Sequence, residues 1–537
     1  MKRNYILHPF LFVIYAVLAP LSANIGVVGV LAIRSLVTYI LLAVTLSVIL
    51  RLVLKDQQQS GLLLSGMIVY FLSFGHVDAL VANYISWNGA SLVLLIIYTL
   101  LLSLWVFFVL KKSVLLPTFT NYFNLVGIIL IIFPLYNILT YSRHPRLAPI
   151  ASEYKQYIWQ ESGVSDFHSS IAPDQRTKPD IYYIILDSYT SADVLRDLFG
   201  YDNSGFIQEL EARGFYVAKE SRSNYADTIF SVSSALNLSH VNTLPDYLRP
   251  NMEVTDRNLL LDSLSFQVKQ NKASSFLAEQ GYSFVNFATT YERINIQSAD
   301  YFEKPPSISS FNPQEAFDLI LLNTTMGKAY FRLRGEENGP FQTLFDNHRA
   351  RILYTLDNLD KFADQDGSYF TYVHIIAPHA PYVFGPNGEE RKGADPFTLL
   401  EDVIGEEWSP DLYRDQVIFI NKMILEVIDN ILAKSDPKPI IILQADHGNR
   451  NYNVVEPSGE LEMKLNYSIL NAYLFPGYEE KSPVYPTITP VNSFRLMFNT
   501  YFGTRLKLLE DTSYVLTDKH GRLEFVEACL EYKTCSP

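Results

Sequence analysis

The chain has 537 residues, 48% of them hydrophobic and 18% charged, too many for one ordinary core and too apolar for a disordered or collagen-like chain. Its net charge of −13 is unevenly spread: residues 1–147 hold nine Lys/Arg against Asp56 and Asp78, while the remainder holds 34 basic and 54 acidic side chains. The acidic part argues against nucleic acid as a partner, since phosphate binding needs a basic face, and the basic, apolar N-terminal part points to a membrane.

Five apolar runs fill the first 142 residues, at about 8–25, 35–54, 60–77, 88–110 and 119–141. Each is near the ~20 residues that cross a bilayer, the third being short. Four runs after the first exclude a cleaved signal peptide. A buried helical core is excluded too, because the runs lack polar faces and their connections are very short. With the N-terminus in the cytoplasm, the cytoplasmic segments carry Lys2, Arg3, Arg51, Lys55, Lys111 and Lys112, and the outer loops carry only Arg34. That bias follows the positive-inside rule. About five spans then place everything after Tyr141 outside the cytoplasm. The expected layout is a multi-pass cell-membrane protein: a transmembrane helical domain over 1–142, a juxtamembrane linker over 143–178 and an extracytoplasmic domain over 179–537.

In the linker, Tyr154, Tyr157 and Ile158 fall at helical i, i+3, i+4 spacing beside Trp159, a pattern for an interfacial helix or an ordinary linker. The two cysteines, Cys529 and Cys535, stand in a compartment that permits a disulfide; the alternative is a pair of free thiols in the tail.

Beyond Pro179, the runs "DIYYIILDSY" (180–189), "SYFTYVHIIAP" (368–378) and "PIIILQADHG" (439–448) are apolar until polar residues appear at their ends. Such runs read as strands buried on both faces of a parallel sheet. Between them lie helical patterns: "SGFIQELEARG" (204–214), with Ser204 as N-cap and Gly214 as stop, and a run over 409–434 opened by Ser409 and Pro410. Strands alternating with helices predict a doubly wound α/β domain. In such sheets ligands bind beyond the carboxyl ends of the strands. Asp187 ends one run, Asp446 and His447 end another, and the third continues through His374 to His379. Oxygen and imidazole donors at neighbouring strand ends suit one divalent cation. Taken singly, Asp187 would cap the next helix and Asp446-His447-Gly448 would be a turn.

"SNYADTIFSVSSALN" (223–237) crowds Thr228, Ser231, Ser233 and Ser234 around a helix start. A hydroxyl there can be activated by a metal while helix N–H groups hold an anion. Spacing alone leaves the choice of hydroxyl open, and leaves Thr228 the bland role of a cap. His374, inside an apolar run, reads as a hydrogen-bonded core residue, and Asn237 and His240 as structural.

At these residues the sequence resembles the alkaline phosphatase/sulfatase superfamily, in particular the membrane-anchored branch of lipoteichoic acid synthases and phosphoethanolamine transferases. "YYIILDSY" is similar to the first-strand motif, whose terminal acid, here Asp187, binds the metal. "TIFSVSSALN" is similar to the nucleophile helix, and the resemblance selects Thr228 as nucleophile and metal ligand. "HIIAPHAPY" (374–382) resembles a motif whose second histidine, here His379, contacts the transferred or leaving group. "ADHGN" (445–449) resembles the late-strand motif, with Asp446 and His447 completing the metal shell. The sequence departs from the branch in having Asp187 where transferases usually have Glu. It departs from true sulfatases in having Ser188 after that acid and no Cys/Ser-x-Pro-x-Arg nucleophile motif. No second-metal set is found.

The resemblance therefore implies an alkaline-phosphatase-like α/β domain with a mostly parallel sheet and one divalent metal, zinc or manganese. It implies a transferase that moves a phospho-alcohol head group, phosphoethanolamine- or phosphoglycerol-like, from a membrane lipid donor to a glycan, lipid or polymer acceptor of the cell envelope. Thr228 would carry the group covalently and His379 would protonate the leaving oxygen. The alternatives are a membrane-tethered phosphodiesterase or sulfatase-like ester hydrolase, and a non-catalytic sulfatase-like membrane protein.

Overall fold

The computed structural model describes residues 5–23, 32–84, 90–111, 115–143, 178–243, 257–306, 342–391, 410–449, 459–519 and 522–528, with nine further positions between 318 and 330. Most of the linker, Ser409, Lys112 and both cysteines lie outside the described residues. The chain forms two compact units: Met1–Arg146 with Asn312–Gln342, and Leu147–Phe311 with Thr343–Pro537.

Among the described residues, five long helices lie in the first unit: α1 (His8–Ala23), α2 (Ala32–Leu54), α3 (Gln57–Tyr84), α4 (Ala90–Leu110) and α5 (Leu116–Arg143). Four of them contain stretches long and apolar enough to cross a membrane, at 33–54, 57–78, 92–110 and 116–139. Of the five expected spans, four meet that measure among the described residues. The first run forms an apolar helix described over 16 residues and containing Pro20, and that stretch is about 24 Å long at 1.5 Å per residue against a ~30 Å hydrocarbon core. Its start is tied to α5, where Asn124 Oδ1 accepts from the N–H of Leu7 at 3.0 Å and of His8 at 2.8 Å. That side chain satisfies two of the amides a helix start leaves without intrahelical partners.

A stretch from within the expected 179–537 segment joins this unit, because its apolar residues pack among the helices. Leu321 packs with Val17 and Leu21, and Ala329 packs with Phe74 and Leu94. Met326 N–H donates to Phe71 O at 2.8 Å, and Ser35 Oγ donates to Asp318 Oδ1 at 2.6 Å.

In the second unit, a seven-stranded sheet has the order β2-β7-β6-β1-β5-β3-β4. Its strands are β1 (Ile181–Leu186), β2 (Tyr216–Val217), β3 (Ser283–Phe287), β4 (Tyr301–Glu303), β5 (Tyr369–Ile375), β6 (Ile440–Gln444) and β7 (Asn471–Leu474). The three apolar runs became β1, β5 and β6. They are adjacent and parallel, with Ile185 in register with both His374 and Gln444. β7 is antiparallel to β6 and β2. All three central strands are fully buried, because helices cover both faces.

Alternation along the strands divides the core. Tyr182, Ile184 and Leu186 face one apolar cluster, with α6 (Ala192–Phe199), α7 (Ser204–Ala212) and α12 (Pro410–Lys434). Tyr183 and Ile185 face the other, with α8 (Thr228–Asn237), α9 (Arg257–Lys269), α10 (Lys272–Glu279) and α14 (Pro490–Tyr501). The helices α11 (Gln342–Asn358) and α13 (Gly459–Tyr467) complete the set used below. A period of two carries the parity of Tyr183 and Ile185 on to Asp187, toward the layer that holds α8. Two caps differ from expectation. Asn203, not Ser204, precedes α7, and Ser191, not Asp187, precedes α6. Gly214, the expected stop, has φ +93°, which favours glycine.

Candidate metal centre

The strand ends bring Asp187, Asp446 and His447 together, with one possible ligand atom from each within 4.8 Å of the others. His447 Nε2 lies 3.8 Å from Asp187 Oδ1 and 3.5 Å from Asp446 Oδ2. Thr228 Oγ1, at the first position of α8, is 3.2 Å from His447 Nε2. Asp227 is the residue that precedes the helix, so Thr228 is not its cap. Two ligands at ~2.0 Å from a tetrahedral zinc ion stand about 3.3 Å apart. The three spacings fall around that figure.

The second atom of each donor is already committed. Asp446 Oδ1 accepts from Ser188 N–H at 3.1 Å and from His447 N–H at 2.9 Å. His447 Nδ1 is 2.8 Å from Gly448 O, so its N–H points there and Nε2 keeps its lone pair. His374 Nε2 is 2.9 Å from Asp187 Oδ2. What remains is Asp187 Oδ1 and Asp446 Oδ2, both buried and without a hydrogen-bond partner among the described residues. Buried carboxylate oxygens left in that state are costly, and a cation would satisfy both. The residues therefore fit a divalent metal.

Charge follows the same geometry. Burial by itself pushes the Asp187 carboxyl up, but His379, His374 and His447 beside it outweigh burial and hold it below the usual carboxylate range. For His374, burial pulls the imidazole down, yet its hydrogen bond to Asp187 and the Asp187 and Asp446 charges leave it raised. His348 on α11 is pushed down to about 3, by burial first and then by the charge of His379.

His379 is half-buried and close by: its N–H donates to Asp187 O at 3.0 Å, and its ring centroid is 6.4 Å from that of His447. Two other hydroxyls of α8 are turned elsewhere. Ser231 Oγ donates to Tyr225 O at 2.9 Å and Ser233 Oγ donates to Gln267 Oε1 at 2.9 Å. Asn237 bonds to Ser233 O, and His240 Nε2 donates to Glu510 O at 3.2 Å.

Several residues that shape the site carry no sequence motif. One face of α12 holds both loops. Tyr413 OH donates to Ser188 O at 2.7 Å and accepts from Thr190 N–H at 3.1 Å. One turn on, Gln416 Nε2 donates to His379 O at 2.9 Å, while its Oε1 accepts from the N–H groups of Val383 and Phe384. Ser188 itself sits at φ +61°, a conformation costing about 1–3 kcal/mol for a residue with a Cβ. The hairpin of β8 (Tyr514–Lys519) and β9 (Arg522–Glu527) stacks Tyr514 on Tyr225, bracing the approach to α8. Gly448 is required because an added Cβ would stand 2.0 Å from Leu465 O.

No family model matches the sequence, and no curated protein matches it. Among solved structures, the chain is similar to the integral membrane protein lipooligosaccharide phosphoethanolamine transferase A (EptA) from Neisseria meningitidis, at 11% identity and TM-score 0.39, covering 92% of this chain and 94% of that one. It is also similar to the C-terminal periplasmic domain of EcEptC from Escherichia coli in complex with Zn, at 11% identity and TM-score 0.37, over 66% of this chain and 94% of that one. A third similarity is to the lipoteichoic acid synthase LtaP from Listeria monocytogenes, at 12% identity and TM-score 0.37, over 66% and 83%. At these TM-scores the likeness decides nothing about this chain's activity, which has to be read from the residues of the site.

Proposed function

We propose that the chain is a membrane-anchored, metal-dependent transferase that moves a phospho-alcohol head group from a lipid donor to a cell-envelope acceptor through a covalent intermediate on Thr228. The observation that supports it is Thr228 Oγ1 lying 3.2 Å from His447 Nε2, beside two buried carboxylate oxygens that lack partners. The motif resemblance adds the substrate class. The topology in this reading has the N-terminus in the cytoplasm and the catalytic domain outside, with α1 crossing as a short span packed among longer ones.

Asp187, Thr228, Asp446 and His447 would hold the metal, and one imidazole with three single oxygens favours four-coordinate zinc over manganese. When bound, the metal would favour ionisation of the Thr228 hydroxyl and offset charge on the phosphoryl oxygens. Thr228 Oγ1, its proton lost to water, forms a bond to phosphorus as the bond to the lipid alcohol breaks. His379 gives a proton to the departing oxygen. The first-turn amides of α8 hold the non-bridging oxygens. An acceptor hydroxyl, passing its proton to His379, then takes the group from Thr228 and restores the free side chain.

Single-turnover release of labelled head group from a lipid donor tests this, with the mass of the protein followed in parallel. Thr228→Ala should abolish release and leave metal bound, because three protein ligands remain and water can fill the fourth position. Thr228→Ser should retain part of the activity, and Ser231→Ala more. Full first-turnover activity in Thr228→Ala would remove Thr228 as the nucleophile.

A further inference from the structure

We infer that His374 is a positioning residue that restricts Asp187 to binding the cation through a single oxygen. This rests on the proposed metal centre. Parallel pairing puts His374 beside Ile185, two residues before Asp187, and the fully buried ring holds Oδ2 at 2.9 Å. Only Oδ1 then faces His447 Nε2. Backbone amides do the same for Asp446, tying Oδ1 and leaving Oδ2. Among the described residues Asp187 receives no such amide pair, and a side chain from the neighbouring strand supplies the donor.

Two features set this apart from ordinary core packing. Every other residue of β5 except Thr371 is apolar or aromatic, and its whole length is buried, so the strand's packing alone calls for an apolar side chain at 374. His374 Nδ1 also lies buried without a hydrogen-bond partner among the described residues. An unsatisfied polar atom of that kind is destabilising and is kept where it serves a site. The consequence is selectivity. A carboxylate free to bind through both oxygens suits the six to eight ligands of calcium, and one held to a single oxygen suits a four-coordinate ion.

The test uses the full chain in detergent, with zinc affinity from competition with a chromophoric chelator and ligand number from metal-edge absorption. His374→Leu should weaken zinc binding about 10–100-fold, the usual effect of losing a group that orients a ligand, and should raise the ligand number above four. His374→Gln, whose amide N–H can reach the same oxygen, should stay within about threefold of wild type. Unchanged affinity in His374→Leu, or equal loss in His374→Gln, overturns the inference. If His374→Leu does not fold, two-oxygen coordination by carboxylate in the wild-type spectrum overturns it instead. Failure of the metal centre itself shows separately: the wild type would then bind no zinc that Asp187→Ala loses.

Discussion

Tyr413→Phe probes how the loop after β1 is held, and its cost can be worked out from two contacts. The phenylalanine keeps the ring and its packing against Phe199, whose centroid is 4.7 Å away. Only the hydroxyl goes, which donates to Ser188 O at 2.7 Å and accepts from Thr190 N–H at 3.1 Å. Ser188 and Thr190 are 4% and 0% exposed, so water does not replace it. Each orphaned backbone group costs ~1–3 kcal/mol, giving about 2–6 kcal/mol together. For a unit of this size that is a fall in thermal midpoint of about 3–8 °C. Ser188, no longer held at φ +61°, should relax and carry its N–H away from Asp446 Oδ1, weakening zinc binding by roughly tenfold. The assay is thermal unfolding of the detergent-solubilised protein, with and without chelator, beside a zinc titration. A midpoint within 1 °C of wild type together with unchanged zinc affinity would refute the reasoning, because the loop would then hold itself.

Two further predictions use other parts of the structure. Gly448→Ala would drive a Cβ to 2.0 Å from Leu465 O and 3.1 Å from Asn466 C, which are backbone atoms that cannot swing aside. It should cost about 2–3 kcal/mol and release zinc, as Gly448 O leaves His447 Nδ1; normal zinc content in the purified variant would contradict this. The third concerns Asp180, pushed up to about 6 by burial, against the opposing pull of the hydrogen bond from Tyr369 N–H. The folded chain keeps this proton while the unfolded chain releases it, so stability falls as pH rises from about 4 to 6. Asp180→Asn retains an acceptor for Tyr369 and loses the charge. It should be more stable than wild type by about 2 kcal/mol at pH 7 and equal to it near pH 4; parallel stability curves across that range would argue against it.

The sequence by itself determined the apolar N-terminal helices, the three central strands and the residues at their ends. Those features are local: continuous apolar runs can only be buried strands or spans, and polar residues at their ends have to emerge there. It also marked the helix start at Thr228, though residue type did not separate four neighbouring hydroxyls. The count of spans depends on helix length, which apolar composition bounds only loosely, and four of the five runs reach it among the described residues. β3, β4 and β7 are too short and mixed to carry a period. Joining of Asn312–Gln342 to the helical unit is a long-range packing choice with no local signature. Tyr413 and Gln416 look like ordinary residues of an amphipathic helix, and His374 like an apolar strand's exception. Only the tertiary structure set them against Ser188, His379 and Asp187. The orientation of each donor atom is decided by hydrogen bonds from residues far away in sequence, and no pattern along the chain records which oxygen is left over.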